Sequence, residues 1–282
     1  RGKLAIALSI LTLAVSACQT LPQRIEIPES KSIKDVTDYV EISLKDESYS
    51  VDTLLMLIED YFAESAEILK TRYSAYEMEK NHRLAGRVQE EPEPPMPDHD
   101  KFIKGLATLL DKYPEKPNAD KLAYAISYAL FESGKTDEAK RSLEDFLAKY
   151  PQSHYSNEAS FRLGEILFDE EDYGEALPRY EAITRNGDAT LGPKALYKMA
   201  WINYKLDDFD GAIGNFILLL DSSESKVNAS ESAMAIREES MDNMVLSLSR
   251  SAAPERFLKD ILEKTYGADV VFRLGNLLSG ET

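Results

Sequence analysis

Cys18 is the residue whose position in the chain points most directly to chemistry. It is the only cysteine among 282 residues, so the chain cannot form an internal disulfide. His82, His99 and His154 are dispersed along the chain and fit no metal-binding spacing, so we expect all three to be surface residues. The sequence contains no catalytic or metal-binding constellation, and Cys18 is therefore its one candidate for covalent chemistry.

The segment before Cys18 has the pattern of a secretory signal. Arg1 and Lys3 precede residues 4–17, an apolar run of 14 residues without a charge. That run is shorter than the roughly 20 residues a transmembrane helix needs. Residues 1–17 are therefore predicted to be a signal peptide.

Residues 15–18 (Val-Ser-Ala-Cys) resemble the lipobox of bacterial lipoproteins. The resemblance implies cleavage before Cys18 and lipidation of its thiol, and multiple acyl chains would anchor the protein without a transmembrane helix. In that family an Asp directly after the cysteine favours retention in the inner membrane. Gln19 occupies this position here, so the resemblance implies that the protein is attached to the periplasmic face of the outer membrane. The alternative is an ordinary signal peptide or signal anchor with an incidental cysteine.

Composition limits the possible partners. The formal net charge is −17, which argues against nucleic acid because phosphate binding needs clustered Lys and Arg. It equally argues against direct contact with anionic lipid, so we expect membrane attachment through the lipid anchor only. Apolar residues make up 43% of the chain, enough for a packed core.

The first hundred residues divide by composition. Residues 18–34 are predicted to be a polar tether, and residues 35–88 a helical region with apolar residues at three- and four-residue steps. Within that region, residues 39–44 alternate apolar and polar side chains and fit either a short strand or a helix. Residues 89–100, rich in proline and acids, are predicted to be an extended linker.

After residue 100 the chain repeats. Lys-Tyr-Pro at 112–114 recurs at 149–151, a spacing of 37 residues. Ala139, Ala176 and Ala212 recur in helical stretches at spacings of 37 and 36. Helix pairs at a period in this range predict a solenoid, in which small residues allow two antiparallel helices to approach closely.

The repeats resemble tetratricopeptide (TPR) repeats, with Gly164, Tyr173 and Ala176 at motif positions of the second unit. The resemblance implies an all-α, TPR-type helix-turn-helix solenoid over 101–282. Its units lie near 120–151, 157–188 and 193–224, followed by a degenerate unit at 229–265 and an incomplete one from 268. Because that last unit has no second helix, we expect further repeats beyond Thr282, and the missing initiator Met indicates a fragment at the start.

In TPR superhelices the first helix of each unit lines a concave groove. Transferring the groove positions gives a partner-binding surface of Tyr124, Tyr128, Phe131, Phe161, Phe168, Tyr197, Trp201 and Tyr204. Stacked aromatics on a concave surface suit an apolar or extended peptide. They could equally pack between units, an explanation that fits Trp201 least well.

These features predict a non-enzymatic periplasmic scaffold that binds protein partners of an envelope complex and needs no cofactor or metal. One alternative is a targeting module of a longer enzyme whose catalytic domain follows Thr282. Another is a peptidoglycan-binding protein that uses Trp201 and the tyrosines. Neither the particular envelope complex nor the oligomeric state follows from the sequence.

Overall fold

The computed structural model describes residues 31–45, 50–84, 95–115, 117–224 and 231–280. Within these ranges the chain forms twelve α-helices and no strand, which confirms the predicted all-α solenoid. Cys18, the signal segment and residues 89–94 of the predicted linker lie outside the described residues. The helices are α1 (Lys31–Lys45), α2 (Val51–Leu84), α3 (Asp100–Lys112), α4 (Ala119–Glu132), α5 (Thr136–Lys149), α6 (Ser156–Asp169), α7 (Tyr173–Arg185), α8 (Gly192–Lys205), α9 (Phe209–Glu224), α10 (Glu231–Arg250), α11 (Glu255–Leu262) and α12 (Gly267–Ser279).

Helices α4 to α9 form three pairs, and small residues set the distance between the helices of a pair. Ala139, Ala176 and Ala212 are fully buried on the second helices. On α6, a Cβ atom added to Gly164 would lie 2.8 Å from a ring carbon of Tyr180 on α7. Any larger residue at this position would therefore have to displace the buried ring, which explains the glycine at this contact.

The turn inside each pair repeats the same backbone geometry. Gly134, Glu171 and Asp207 occupy equivalent positions and have φ values of 68°, 62° and 58°. After each, a backbone amide donates back to the first helix, as from Lys135 to the Leu130 carbonyl. Left-handed residues of this kind commonly end a helix, so each unit closes in the same way although only the first uses glycine.

The N-terminal helices share a hydrophobic core with the first repeat. Val36 of α1, Leu54 of α2, Phe102 of α3 and Leu122 of α4 are all fully buried in that core. Residues 39–44 lie inside α1, so the helical alternative is correct for them. Helix α1 begins at Lys31, within the segment predicted to be a tether.

The expectation that His99 is a surface residue is wrong. Its side chain is only 2% exposed, and its Nδ1 atom forms a hydrogen bond with the Tyr61 hydroxyl. The Tyr61 ring in turn stacks on Phe102 with 4.2 Å between ring centroids. A neutral imidazole with a buried hydrogen-bond donor can leave water at little cost, which explains the burial. His154 is exposed, as expected.

The C-terminal helices extend the stack. Helix α10 packs against α9 and α12, and α11 packs against α12. Phe216, Met244 and Ile261 are among the buried residues of the core that these helices share. In the part of the chain that the structure describes, no helix combines the length and apolar character needed to cross a membrane.

Candidate protein-binding groove

The first helices α4, α6 and α8 carry the predicted groove residues at spacings that follow the repeat. Tyr124 of α4 and Phe161 of α6 occupy equivalent positions and are both buried. The Tyr124 ring stacks on Tyr155 with centroids 4.8 Å apart, and Phe161 meets the edge of Tyr180 at 5.6 Å. These two rings therefore face inward and offer a partner little surface.

Two tyrosine hydroxyls in this first row connect the first unit to the second and the third unit to α10. Tyr124 donates to Glu158 of α6 at 2.7 Å, and Tyr197 of α8 donates to Glu239 of α10 at 2.6 Å. Burial, reinforced by the hydrogen bond to Glu239, raises the pKa of Tyr197 to about 12. Both tyrosines therefore remain neutral donors at physiological pH, and Tyr197 is only half-buried.

The second row is formed by half-buried rings, each covered by a cation from a later helix. Arg162 lies 5.2 Å from the centroid of Phe131, and Lys198 lies 4.6 Å from that of Phe168. Arg250 of α10 lies 5.1 Å from the centroid of Tyr204. Cation–π contacts of this kind join neighbouring units at roughly 0.5–1 kcal/mol each at exposed sites.

Between these rows lie Tyr128, Glu165 and Trp201. Tyr128 meets the edge of Phe62 from α2 with ring centroids 5.0 Å apart, so α2 reaches the first repeat at this point. Burial raises the pKa of Tyr128 to about 12. Glu165 accepts a hydrogen bond from Tyr180 at 2.8 Å and pairs with Lys198 at 2.9 Å.

Trp201 stands at the centre of an aromatic cluster on α8. Its ring is half-buried and meets Tyr197 and Tyr204 edge to face, at centroid distances of 6.4 Å and 5.7 Å. The three side chains form one continuous partly exposed surface. This surface can supply ring faces and hydroxyl groups to a bound chain.

The structure thus brings Tyr197, Trp201 and Tyr204 together. Arg162 covers both Tyr128 and Phe131, and Lys198 covers Phe168. The rings of Tyr124 and Phe161 face the core. The binding role of these residues stays a prediction.

The sequence analysis did not include the cations that cover these rings. Arg162 and Lys198 are 36 residues apart, the period of the repeat, so their spacing was a usable signal. Nothing comparable in the sequence indicated the contact from Phe62.

Comparison with known proteins identifies the repeats. Residues 124–189 and 161–223 match the tetratricopeptide repeat family, so the chain contains TPR repeats. None of the curated proteins matches the chain. Among solved structures, the chain is similar to PilW, described as a widely conserved type IV pilus biogenesis factor, with 12% identity and a TM-score of 0.42 over 88% of this chain and 99% of that one. A likeness this distant carries no functional argument.

Proposed function

We propose that the protein is a non-enzymatic scaffold that binds protein partners of a bacterial envelope complex through the concave face of its TPR repeats. The observation that carries this proposal is the aromatic cluster of Tyr197, Trp201 and Tyr204 on α8. Partly exposed aromatic residues, Trp and Tyr above all, are the residues most enriched at the energetic centres of protein interfaces. Solenoids use extended concave surfaces of this kind to bind other proteins.

The environment of Trp201 favours binding over packing. In α4 the position equivalent to Trp201 is Tyr128, whose ring is covered by Phe62 and Arg162. In α6 the equivalent residue is Glu165, which forms an ion pair with Lys198. The rings around Trp201 instead belong to its own helix, one turn away on either side. A partner side chain laid against α8 would therefore contact Trp201 together with Tyr197 and Tyr204.

Envelope attachment rests on the sequence around Cys18. Lipidation of this thiol would tether the chain to the outer membrane on its periplasmic side, with no transmembrane helix needed. The net charge of −17 would keep the protein body away from anionic lipid headgroups. In this arrangement the lipid anchors the scaffold and the groove faces periplasmic partners.

The test compares partners recovered with the lipidated full chain and with its Trp201→Ala variant after mild cross-linking in membranes. Leu218→Ala, which truncates an exposed apolar residue on α9, is the matched control. We expect the control to recover the same protein partners as wild type, and Trp201→Ala to recover at least about tenfold less of them, the loss typical of an interface hot spot. Equal recovery by all three proteins would refute the groove assignment. Binding to purified peptidoglycan that Trp201→Ala abolishes would instead support the glycan-binding alternative.

A further inference from the structure

Helix α8 differs from the preceding first helices in its charge. It contains three lysines, Lys194, Lys198 and Lys205, and no aspartate or glutamate, although the whole chain has a net charge of −17. Successive steps of four, three and four residues place the three lysines and Trp201 on one face of the helix. We call these four residues the basic face of α8.

The matching positions of the other two central units are not basic. They hold Lys121, Ala125 and Glu132 in α4, and Glu158, Arg162 and Asp169 in α6. The formal charges at the three positions therefore add up to 0 in α4, −1 in α6 and +3 in α8. Because α4 and α6 pack in the solenoid without these lysines, the repeat itself does not require them.

The lysines of the basic face differ in what surrounds them. Lys198 is neutralised within the solenoid, since it pairs with Glu165 of α6 at 2.9 Å. Lys194 and Lys205 are exposed, and neither forms an ion pair with any residue that the structure describes. Two exposed cations therefore flank Trp201, one toward each end of α8.

Arg250 of α10 adds a further cation beside this face. It lies 5.1 Å from the centroid of the Tyr204 ring, and it has no ion pair in the described part of the chain. Two acids lie nearby and are engaged by hydrogen bonds, Glu239 with the Tyr197 hydroxyl and Asp208 with the backbone at the start of α9. The face thus offers exposed aromatic surface together with cations that the solenoid leaves unpaired.

Screening and spacing define the segment that fits this face. At physiological ionic strength the Debye length is about 8 Å, so the local cations outweigh more distant acids of the body. Lys194 and Lys205 are eleven residues apart, which is about 16 Å along the helix axis. An extended chain covers that distance in about five residues. By the same measure, Trp201 lies about three residues from Lys194 and about two from Lys205.

We propose that the basic face of α8 binds an extended acidic segment of a partner protein, in which two carboxylates about five residues apart flank an aromatic anchor. The anchor lies on Trp201, and the carboxylates pair with Lys194 and Lys205. This inference rests on the proposed function, because it uses the same aromatic cluster, and it adds the charge of the partner. Helix α8 lies between α7 and α9 inside the solenoid, so its exposed face does not arise from an end of the chain.

Trp201 is the only tryptophan of the chain, so its fluorescence reports binding at this face directly. The probe is the blocked hexapeptide Glu-Ser-Gly-Phe-Ser-Glu, and the matched control peptide carries glutamine in place of both glutamates. At physiological ionic strength we expect the acidic peptide to change the emission saturably, with a Kd of about 1 mM or below. We expect the neutral peptide to bind about three- to tenfold more weakly, the effect of losing two exposed ion pairs.

Lys194→Gln combined with Lys205→Gln tests the two contacts. Glutamine has nearly the helix propensity of lysine, so the variant should fold as wild type does. We expect the two peptides to bind this variant equally, because the energetic coupling between lysine and glutamate is then absent. Lys121→Gln combined with Lys259→Gln removes the same charge from α4 and α11, and this control should retain the preference for the acidic peptide.

Four outcomes would overturn the proposal. Absence of saturable binding, or equal affinity of wild type for both peptides, would refute an acidic partner. A preference that persists in the Lys194→Gln, Lys205→Gln variant would refute the lysine contacts. If added salt shifts the emission of wild type alone but not of that variant, the occupant is an acidic segment of this chain, or a second copy where the shift depends on protein concentration. The proposed function fails separately, when Trp201→Ala recovers the same partners as wild type.

Discussion

Burial of His99 makes the stability of the N-terminal core depend on pH. The imidazole is 2% exposed, forms a hydrogen bond with the Tyr61 hydroxyl and packs beside Phe62 and Phe102. Burial lowers its pKa to about 4, although the carboxylates of Asp98 and Asp100 act in the opposite direction. Protonation in the folded protein would place an unsolvated charge in this aromatic site.

The sign and size of the effect follow from linkage. In the unfolded chain the pKa of a histidine is about 6.5, so between that pH and about 4 the unfolded state binds more protons. The stabilisation from neutral His99 is therefore complete above pH 6.5 and is lost as the pH falls. With the folded pKa at about 4, the free energy of unfolding drops by about 2 kcal/mol at pH 5. We therefore expect a loss of about 1–2 kcal/mol on acidification to this pH.

Urea unfolding at pH about 7.5 and about 5 measures the effect, with His99→Asn as the reference. Asparagine is neutral at both pH values and can accept the Tyr61 hydrogen bond, so it retains the polar contact without the titration. We expect wild type to lose about 1–2 kcal/mol more than His99→Asn on acidification. His154→Asn, at an exposed position, is the control for removal of a histidine. Equal losses in wild type and His99→Asn would refute the reasoning.

Two further predictions concern the repeat core and the anchor. Gly164→Ala should lower the free energy of unfolding by about 1–2 kcal/mol in urea, because steric overlap with the Tyr180 ring outweighs the gain in helix propensity. Unchanged or higher stability would contradict the close packing of α6 on α7. Cys18→Ser should abolish incorporation of labelled palmitate and release the protein from the membrane fraction; a variant that still incorporates palmitate would contradict lipidation at this residue.

The three central units were predictable because their determinants are local and recur at a fixed spacing. Alanines at 37 and 36 residues mark the second helices, and Gly164 marks the close contact between α6 and α7. Because each unit of a repeat protein packs in the same way as the unit before it, a pattern that recurs in several units supports the assignment made for each one. The same logic could have assigned Arg162 and Lys198 to the groove, because they share the period of the rings that they cover.

The N-terminal core was not predictable in the same way. Burial of His99 depends on a hydroxyl group 38 residues away on α2 and on rings from two helices, and no periodic pattern relates these residues. Proline-rich composition around residue 95 indicated an extended linker. Residues 95–99 have no regular secondary structure and lead into α3, but His99 is packed inside the core. Contacts between segments that are distant in sequence and unrelated by the repeat could therefore be identified only from the folded structure.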